Sequence, residues 1–337
     1  MKKILLLSLA LAFSNAFALS LQDALAKVPQ TVSVKQARTE AVDAKNNLER
    51  QLSDPLLTKP TELAARQRNE LAQLRLTAAQ RSAESSVVSA YTQALEAQKL
   101  VQIAEKGVDL RGLSLNVAQI RQRNGSGTAF DVKDAQNQLE DAKKNLVSDK
   151  DGLSTALRSL QIIIGAFDNK VVVPQPGQLP GMIEAKMTET VVNRSVNVAQ
   201  ARQGLESAKQ QVALLDPSYS AQSQIDAAKT QLENAADSLD SAQDNERLSV
   251  TSLFNGLQTA RTGLGVQEAA ENNAQDRLTT DQKRLKSGLI SQLQLLQTER
   301  STLQAELGLI QARSTYLKAY YGFLAGSGGS GAAGGRG

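Results

Sequence analysis

Asp131 and Asp134 are the two residues whose types and spacing first suggest chemistry. They lie three positions apart, so on a helix they would share one face. A carboxylate pair can act as general acid and base, but that role needs a pocket and a partner of matched pKa. The chain contains no histidine and no cysteine, which excludes the commonest general base, thiolate metal ligands and disulfides. We therefore expect no catalytic residue, no cofactor and no metal site.

Both carboxylates follow a turn between two long helix-forming runs. In residues 121–132 (RQRNGSGTAFDV), Gly125 and Gly127 can adopt the left-handed conformation that ends a helix. Thr128, followed three residues later by Asp131, is a capping box in which the hydroxyl and the carboxylate satisfy two free amides at the start of a helix. The stretch therefore predicts a tight reversal between two helices, and capping is the simplest role for its polar residues.

Residues 284–295 (RLKSGLISQLQL) have the same pattern. Four positions match the first turn in residue type: Arg284 matches Arg121, Gly288 matches Gly125, Ser291 matches Thr128, and Gln294 matches Asp131. One glycine followed by a capping box is common, but two with matched offsets predict a duplicated architecture.

Other anchors repeat at nearly the same distance along the chain. Residues 196–202 resemble 32–38, and the Asp-Pro step at 216–217 resembles the one at 54–55. The offset from Gly165 to Gly326 is also close to the offset from Gly125 to Gly288. We therefore divide the chain into a first helical repeat (19–165), a linker (166–186), a second helical repeat (187–326) and a flexible Gly/Ser tail (327–337).

Each repeat is predicted to contain a short, a long and a second short helix. The first repeat has helical pattern over 21–53, with a split near Pro29, and then over 61–123 and 129–164. The second has it over 186–215, 222–286 and 291–325. The two short helices together are about as long as the long one, so each repeat predicts a pair of antiparallel rods. The proline-rich linker is expected to run extended across the domain, with room for one short strand.

Composition favours an all-α, exported protein. Lys2 and Lys3, the apolar run 4–13 and the A-x-A step at 16–18 predict a signal peptide over 1–18. The apolar run is shorter than the ~20 residues that a membrane span needs. Aromatic residues make up 3% of the chain and the net charge is +4, which argues against a nucleic-acid partner. The seams are narrow and rich in alanine, so we expect chains to associate side by side.

The repeat and the turn pattern R-x-x-x-G-x-x-[ST]-x-x-[DEQ]-[VL] resemble those of the TolC-like outer-membrane efflux protein family. The resemblance covers residues 20–326 and implies a homotrimeric tunnel, passive and non-catalytic, with the turns as its tip. It also implies a periplasmic adaptor and an inner-membrane pump as partners. The residues implied for docking at the tip are Arg121, Gly125, Thr128, Asp131, Val132, Arg284, Gly288, Ser291, Gln294 and Leu295. Those implied for the tunnel constriction are Asp131, Asp134, Gln294 and Gln297.

At the other end the sequence departs from the family pattern. The family inserts two membrane β-strands between the first short helix and the long one, and each strand takes ~9–11 residues. Here the gaps are residues 55–60 and 217–221. We therefore expect a TolC-like α-barrel without the membrane β-barrel, located in the periplasm or on the periplasmic side of the outer membrane, with a separate outer-membrane pore protein as partner. The alternative is a periplasmic scaffold protein that transports nothing.

Four aromatic residues near the end of the second repeat are the remaining candidates for a ligand site. They are Tyr316, Tyr320, Tyr321 and Phe323. We interpret them as core packing at the helix end near the breaks rather than as a ligand site.

Overall fold

A computed structural model describes residues 18–168, 170–174, 176–216 and 218–326. The predicted signal peptide lies outside these residues except for Ala18, and the predicted Gly/Ser tail lies wholly outside them. Each predicted repeat is a short–long–short set of helices. In chain order the α-helices are α1 (Leu21–Ala26), α2 (Val32–Leu52), α3 (Lys59–Arg123), α4 (Ala129–Ile164), α5 (Met187–Asn193), α6 (Val196–Ala213), α7 (Gln222–Lys286) and α8 (Gln292–Ala325).

The two long helices have the same length. Both α3 and α7 contain 65 residues, which corresponds to about 98 Å of helix. The predicted start of α3 at Thr61 was wrong by two residues, because Thr58 is the N-cap and Pro60 lies within the first turn. Proline is accepted there because the amide that it lacks would have no partner inside the helix.

The predicted helix over 186–215 is interrupted, which corrects that prediction. Arg194 and Ser195 separate α5 from α6, and Ser195 has the extended conformation of an N-cap. The first repeat has the same break, where Thr31 is the extended N-cap of α2 after a 3-10 helix at Val28–Gln30. The split expected near Pro29 is thus confirmed, and the second repeat has its counterpart without a proline.

The helices form one open layer of four rods. In each repeat the two short helices pack on the same long helix, α2 and α4 on α3, and α6 and α8 on α7. Helices α6 and α8 also pack on α3, so the order across the layer is α2/α4, α3, α6/α8, α7. Within the described residues, α4 and α7 share no extended interface. The layer therefore has two free edges, and α4 and α7 lie along them.

Ion pairs join the two repeats at the seam between α3 and α8. Lys99 Nζ lies 2.6 Å from Glu306 Oε2, and Lys106 Nζ lies 3.0 Å from Glu299 Oε2. The partner numbers fall as the α3 numbers rise, so the two helices are antiparallel. The Glu299 partner raises the pKa of Lys106 by hydrogen bonding.

Two hydrophobic cores fill the middle of the layer. The first surrounds Tyr91 and Leu160 and includes Ile310 of the second repeat. The second surrounds Tyr316 and Phe323, which confirms core packing for these two aromatic residues. The Tyr316 hydroxyl donates to the Pro180 carbonyl at 2.8 Å.

The linker runs along both cores, since Val171 belongs to the first and Ile183 to the second. The strand allowed for in the linker is not present in the described residues, where Val171 forms one isolated bridge with Leu19. Tyr91 explains why this pairing stays in place, because its single hydroxyl proton is shared between the carbonyl oxygens of Leu19 and Val172, at 2.9 and 2.5 Å. Burial raises the pKa of Tyr91, so the phenol keeps the one proton that this shared hydrogen bond needs. Among the described residues, none of the helices contains an apolar stretch of the length that a membrane crossing requires.

Candidate functional site

The first turn, between α3 and α4, has the backbone of a Schellman motif. Gly125 has φ +74° and donates its amide to Gln122 O at 3.0 Å, while the Ser126 amide donates to Arg121 O at 2.9 Å. These bonds satisfy two carbonyls that the end of a helix leaves free. Only glycine takes this φ without strain.

Gly127 serves the turn in a different way from the one predicted. It is not among the glycines with positive φ, which include Gly125 and Gly288. A Cβ added to Gly127 would lie 3.1 Å from Cβ of Arg121 and 3.2 Å from the Gln122 amide nitrogen. The residue is therefore glycine because the chain passes close to the end of α3.

The predicted capping box then starts α4. The Thr128 amide donates to Oδ2 of Asp131 at 2.8 Å, and the Asp131 amide donates to Oγ1 of Thr128 at 3.2 Å. The Thr128 amide and hydroxyl hydrogen bonds lower the pKa of the exposed Asp131 carboxyl. The carboxylate is therefore held ionised at the first turn of the helix, where the helix dipole favours negative charge.

The second turn, between α7 and α8, repeats this geometry. Gly288 has φ +70° and donates to Leu285 O at 2.9 Å, while the Leu289 amide donates to Arg284 O at 2.8 Å. The Ser291 amide donates to Oε1 of Gln294 at 2.9 Å, and the Gln294 amide donates to Oγ of Ser291 at 3.2 Å. The duplicated turn is therefore present at both helix reversals, which we call tip 1 (residues 121–132) and tip 2 (residues 284–295).

The side chains behind tip 1 form a short polar chain. Arg111 Nη1 donates to Oε1 of Gln138 at 2.7 Å, and Gln138 Nε2 donates to Oδ2 of Asp134 at 2.7 Å. Asp134 is thus tied back to α3 through one intermediate residue. Its carboxylate and that of Asp131 are both exposed.

Behind tip 2 lies a link that the sequence reasoning missed. Asp281 is only 8% exposed and accepts from the Thr298 hydroxyl at 2.8 Å. Arg284, one of the predicted tip residues, approaches the same carboxylate at 3.5 Å. The bond joins α7 to α8 near the turn. In the sequence, the signal for this link is that Asp281 precedes Arg284 by three residues, which places both on one face of the helix.

A groove at tip 2 contains both residues predicted there for the constriction. Its volume is about 550 Å³, and its walls include Gln294 and Gln297 beside Arg277, Asp281 and Arg284. The groove is polar and carries charges of both signs. Leu295 is buried beside it, whereas Val132 at tip 1 is only half-buried.

The four predicted constriction residues do not meet within one chain. Asp131 and Asp134 lie on α4, while Gln294 and Gln297 lie on α8, and these two helices pack on opposite sides of α3.

Two apolar side chains also project from the tips, Phe130 at 76% and Leu289 at 72% exposure. Within the described residues, no cluster of three or more acidic side chains is placed to hold a metal ion.

Comparison with known families gives a match over most of the helical part of the chain. The model of the outer membrane efflux protein family matches residues 62–166 and 215–323, so each match begins near a long helix and ends with the short helix that follows. No curated protein matches the chain by sequence.

Several solved structures share the fold. CusC, whose structures concern transmembrane channel formation, has a TM-score of 0.65 and 14% identity, covering 93% of this chain and 94% of that one. The outer membrane protein VceC of Vibrio cholerae has a TM-score of 0.60 and 15% identity, covering 91% and 96%. The CmeC outer membrane channel of Campylobacter jejuni has a TM-score of 0.63 and 12% identity, covering 92% and 85%. At these identities the likeness shows a shared fold and nothing beyond it.

Proposed function

The chain belongs to the outer membrane efflux protein family, and we propose that three copies of it close into the helical tunnel of an efflux system. Each chain contributes four rods, and the closed ring contains twelve. Substrate passes along the tunnel without chemical change. The supporting observation is the open layer, because its two edges, α4 and α7, would each be covered by the next chain.

Repeat symmetry indicates how one chain meets the next. The seam between α3 and α8 joins the first repeat to the second, and the seam between α7 and α4 of the next chain would join the second repeat to the first. Val147 on α4 is the counterpart of Ile310 on α8, by the same offset that relates Gly125 to Gly288. Ile310 is buried in the first core, but Val147 is 60% exposed in the single chain. Burying Val147 against a neighbour would remove this difference.

The same symmetry predicts a weaker polar contact between chains than within one. The ion pair Lys99–Glu306 of the internal seam corresponds to Thr262 on α7 and Lys143 on α4. Both counterparts are exposed, and threonine with lysine does not form an ion pair. Assembly would therefore depend on apolar and small side chains at the edges, which fits a tunnel put together from chains that fold separately.

For the tips we propose docking to a periplasmic adaptor that in turn contacts an inner-membrane pump. The exposed Phe130 and Leu289 support such a surface. Each lies in a turn that also carries exposed basic residues, Arg123 at tip 1 and Lys286 at tip 2, and apolar side chains within a charged rim are typical of interfaces. The residues proposed for this contact are Arg121, Gly125, Thr128, Asp131, Val132, Arg284, Gly288, Ser291, Gln294 and Leu295.

In the closed ring, Asp131 and Asp134 would alternate with Gln294 and Gln297 around the tunnel entrance, although one chain keeps them apart. Exposure of both acids and the groove position of both glutamines support this arrangement. The tunnel would lie in the periplasm, with a separate pore protein completing the path through the outer membrane.

Light scattering on the purified protein tests the tunnel directly. We expect a particle of three chains in dilute buffer, because three chains leave no free edge. The matched variant Val147→Asp places a charge in the proposed seam and should give single chains with unchanged helix content. A wild-type protein that remains a single chain at all concentrations would contradict the tunnel and favour a scaffold role.

A further inference from the structure

The end of the rods opposite the tips carries a second duplicated structure. It consists of the turn between α2 and α3 and the turn between α6 and α7, which we call the break turns. In the first, the Leu56 amide donates to Oδ1 of Asp54 at 2.9 Å. In the second, the Ser218 amide donates to Oδ1 of Asp216 at 2.8 Å. The same aspartate-anchored turn therefore connects short to long helix in both repeats.

The break turns hold the most exposed large hydrophobic side chains of the described residues. Tyr219 is 91% exposed and Leu56 is 85% exposed. Leu52, at the end of α2, and Leu214, just after α6, are also exposed and occupy equivalent positions in the two repeats. A turn needs none of these side chains for its own geometry, so their exposure calls for another explanation.

The two break turns lie side by side. Gln67 on α3 and Gln203 on α6 exchange hydrogen bonds, each amide nitrogen donating to the other residue's main-chain carbonyl at 3.1 and 3.0 Å. Leu56 precedes Gln67 in the chain by the same number of positions as Leu214 follows Gln203. Because α3 and α6 are antiparallel neighbours, both leucines reach the same level at the end of the layer.

The surroundings of these side chains narrow the choice of partner. The flanking exposed charges are of both signs, as Arg50 and Lys59 beside Asp54 and Asp216 show. A strongly charged partner would gain little from such a surface. The apolar side chains project from convex turns, and a folded protein would need a matching pocket for each of them. A lipid phase needs no matching shape.

We propose that the break turns bind the surface of a lipid bilayer, with Leu56, Leu214 and Tyr219 inserted at the boundary between headgroups and acyl chains. Leucine supplies apolar area there, and tyrosine places its ring in the apolar layer and its hydroxyl in the headgroups. The inference rests on the proposed tunnel in one respect, since three chains would present six turns and strengthen a weak contact by multivalency. The bilayer would then lie about 98 Å from the tips, the length of α3.

Vesicle flotation tests the contact. The purified chain is mixed with vesicles of equal parts phosphatidylethanolamine and phosphatidylglycerol and centrifuged through a density gradient. We expect the wild type to float, and the double variant Leu56→Ser/Tyr219→Ser to bind at least about tenfold more weakly, as the loss of two inserted side chains predicts. Raising the salt concentration should leave binding unchanged, because the contact is apolar.

The matched control changes two apolar residues of nearly equal exposure at the other end, Phe130→Ser/Leu289→Ser, and should float like the wild type. Since the chain has no cysteine, a bimane label can be placed at Tyr219→Cys or at Phe130→Cys. Emission should shift to the blue on vesicles for the label at position 219 alone.

Failure to float, a shift at the tip label, or loss of binding in high salt would each overturn the bilayer contact. The result is separable from the tunnel proposal by the mass measurement. A three-chain particle that does not float rejects the bilayer contact alone, and a single chain that floats through Tyr219 supports it while rejecting the tunnel.

Discussion

Tip 1 and tip 2 have the same backbone but different side chains behind it. Both end a 65-residue helix with a positive-φ glycine and start the next helix with a capping box. Behind tip 2, the buried Asp281 ties α7 to α8 through Thr298. The counterparts of Asp281 and Thr298 in the first repeat are Ala118 and Ala135, which cannot form that bond.

The difference shows which features a duplicated turn must keep. The glycine φ and the cap are set by backbone geometry within the turn itself, so any working copy of the turn needs them. The contact between the two helices admits several solutions, and each repeat has its own. Arg111 and Gln138 provide the link in the first repeat, farther from the turn than the Asp281 link in the second.

The largest expected difference between the tips comes from removing the buried acid. Asp281→Ala should destabilise tip 2 by about 2 kcal/mol, because it removes a hydrogen bond to a charged group. Amide exchange of residues 281–298 should then become roughly 30-fold faster, as that free energy predicts. The control Asp134→Ala, at the exposed acid behind tip 1, should change the local free energy of opening by less than about 0.5 kcal/mol. Equal costs at the two sites would show that the Asp281 link does not distinguish the tips.

A smaller effect, equal at both tips, is expected from the glycines. Gly125→Ala and Gly288→Ala should each cost about 1 kcal/mol, since alanine is strained at positive φ. The control Gly112→Ala lies inside α3 with open space around it and should instead stabilise the helix by a similar amount. Hydrogen exchange of the amides at tip 1 and tip 2 measures the cost of Gly125→Ala and of Gly288→Ala. A cost at one tip only would mean that the turns differ in backbone as well as in side chains.

The smallest effect is a pH dependence confined to tip 1. The Thr128 hydrogen bonds lower the pKa of Asp131 in the folded chain, so the stability that they add is present above the unfolded pKa. It is lost as the pH falls through the folded pKa. Amide protection of Thr128, corrected for intrinsic exchange, should therefore decline in acid, while that of Ser291 stays constant because Gln294 does not titrate. Gln294→Glu should give tip 2 the same decline, and Asp131→Asn should abolish it at tip 1.

The sequence predicted the parts of the fold that depend on neighbouring residues. The end of α3, the start and end of α4, and both caps agree with the prediction because glycine and capping residues act within a few positions. The start of α3 was predicted two residues late because the helical pattern was begun after Pro60, although proline is also accepted in a first helical turn. The break before Ser195 lacks a proline and was missed for that reason.

The contacts between helices could not be predicted in the same way. Lys99 and Glu306 are 207 positions apart, and both look like ordinary solvated charges in an alanine-rich pattern. Asp281 likewise gives no sign that it is buried. Such pairs follow from the packing order of the rods, which the periodicity of any one helix does not contain.

The central claim is that a second chain covers the free edges in the way that α8 covers α3. Cross-linking tests it most directly, because the chain has no native cysteine. Lys143→Cys on α4 and Thr262→Cys on α7 are combined in one chain, at the counterparts of Glu306 and Lys99. A short bis-maleimide should then give covalently linked species of up to three chains, and none larger, on a denaturing gel. Each single variant should show no three-chain band. A double variant that shows only single chains, although labelled at both sites, would contradict the claim.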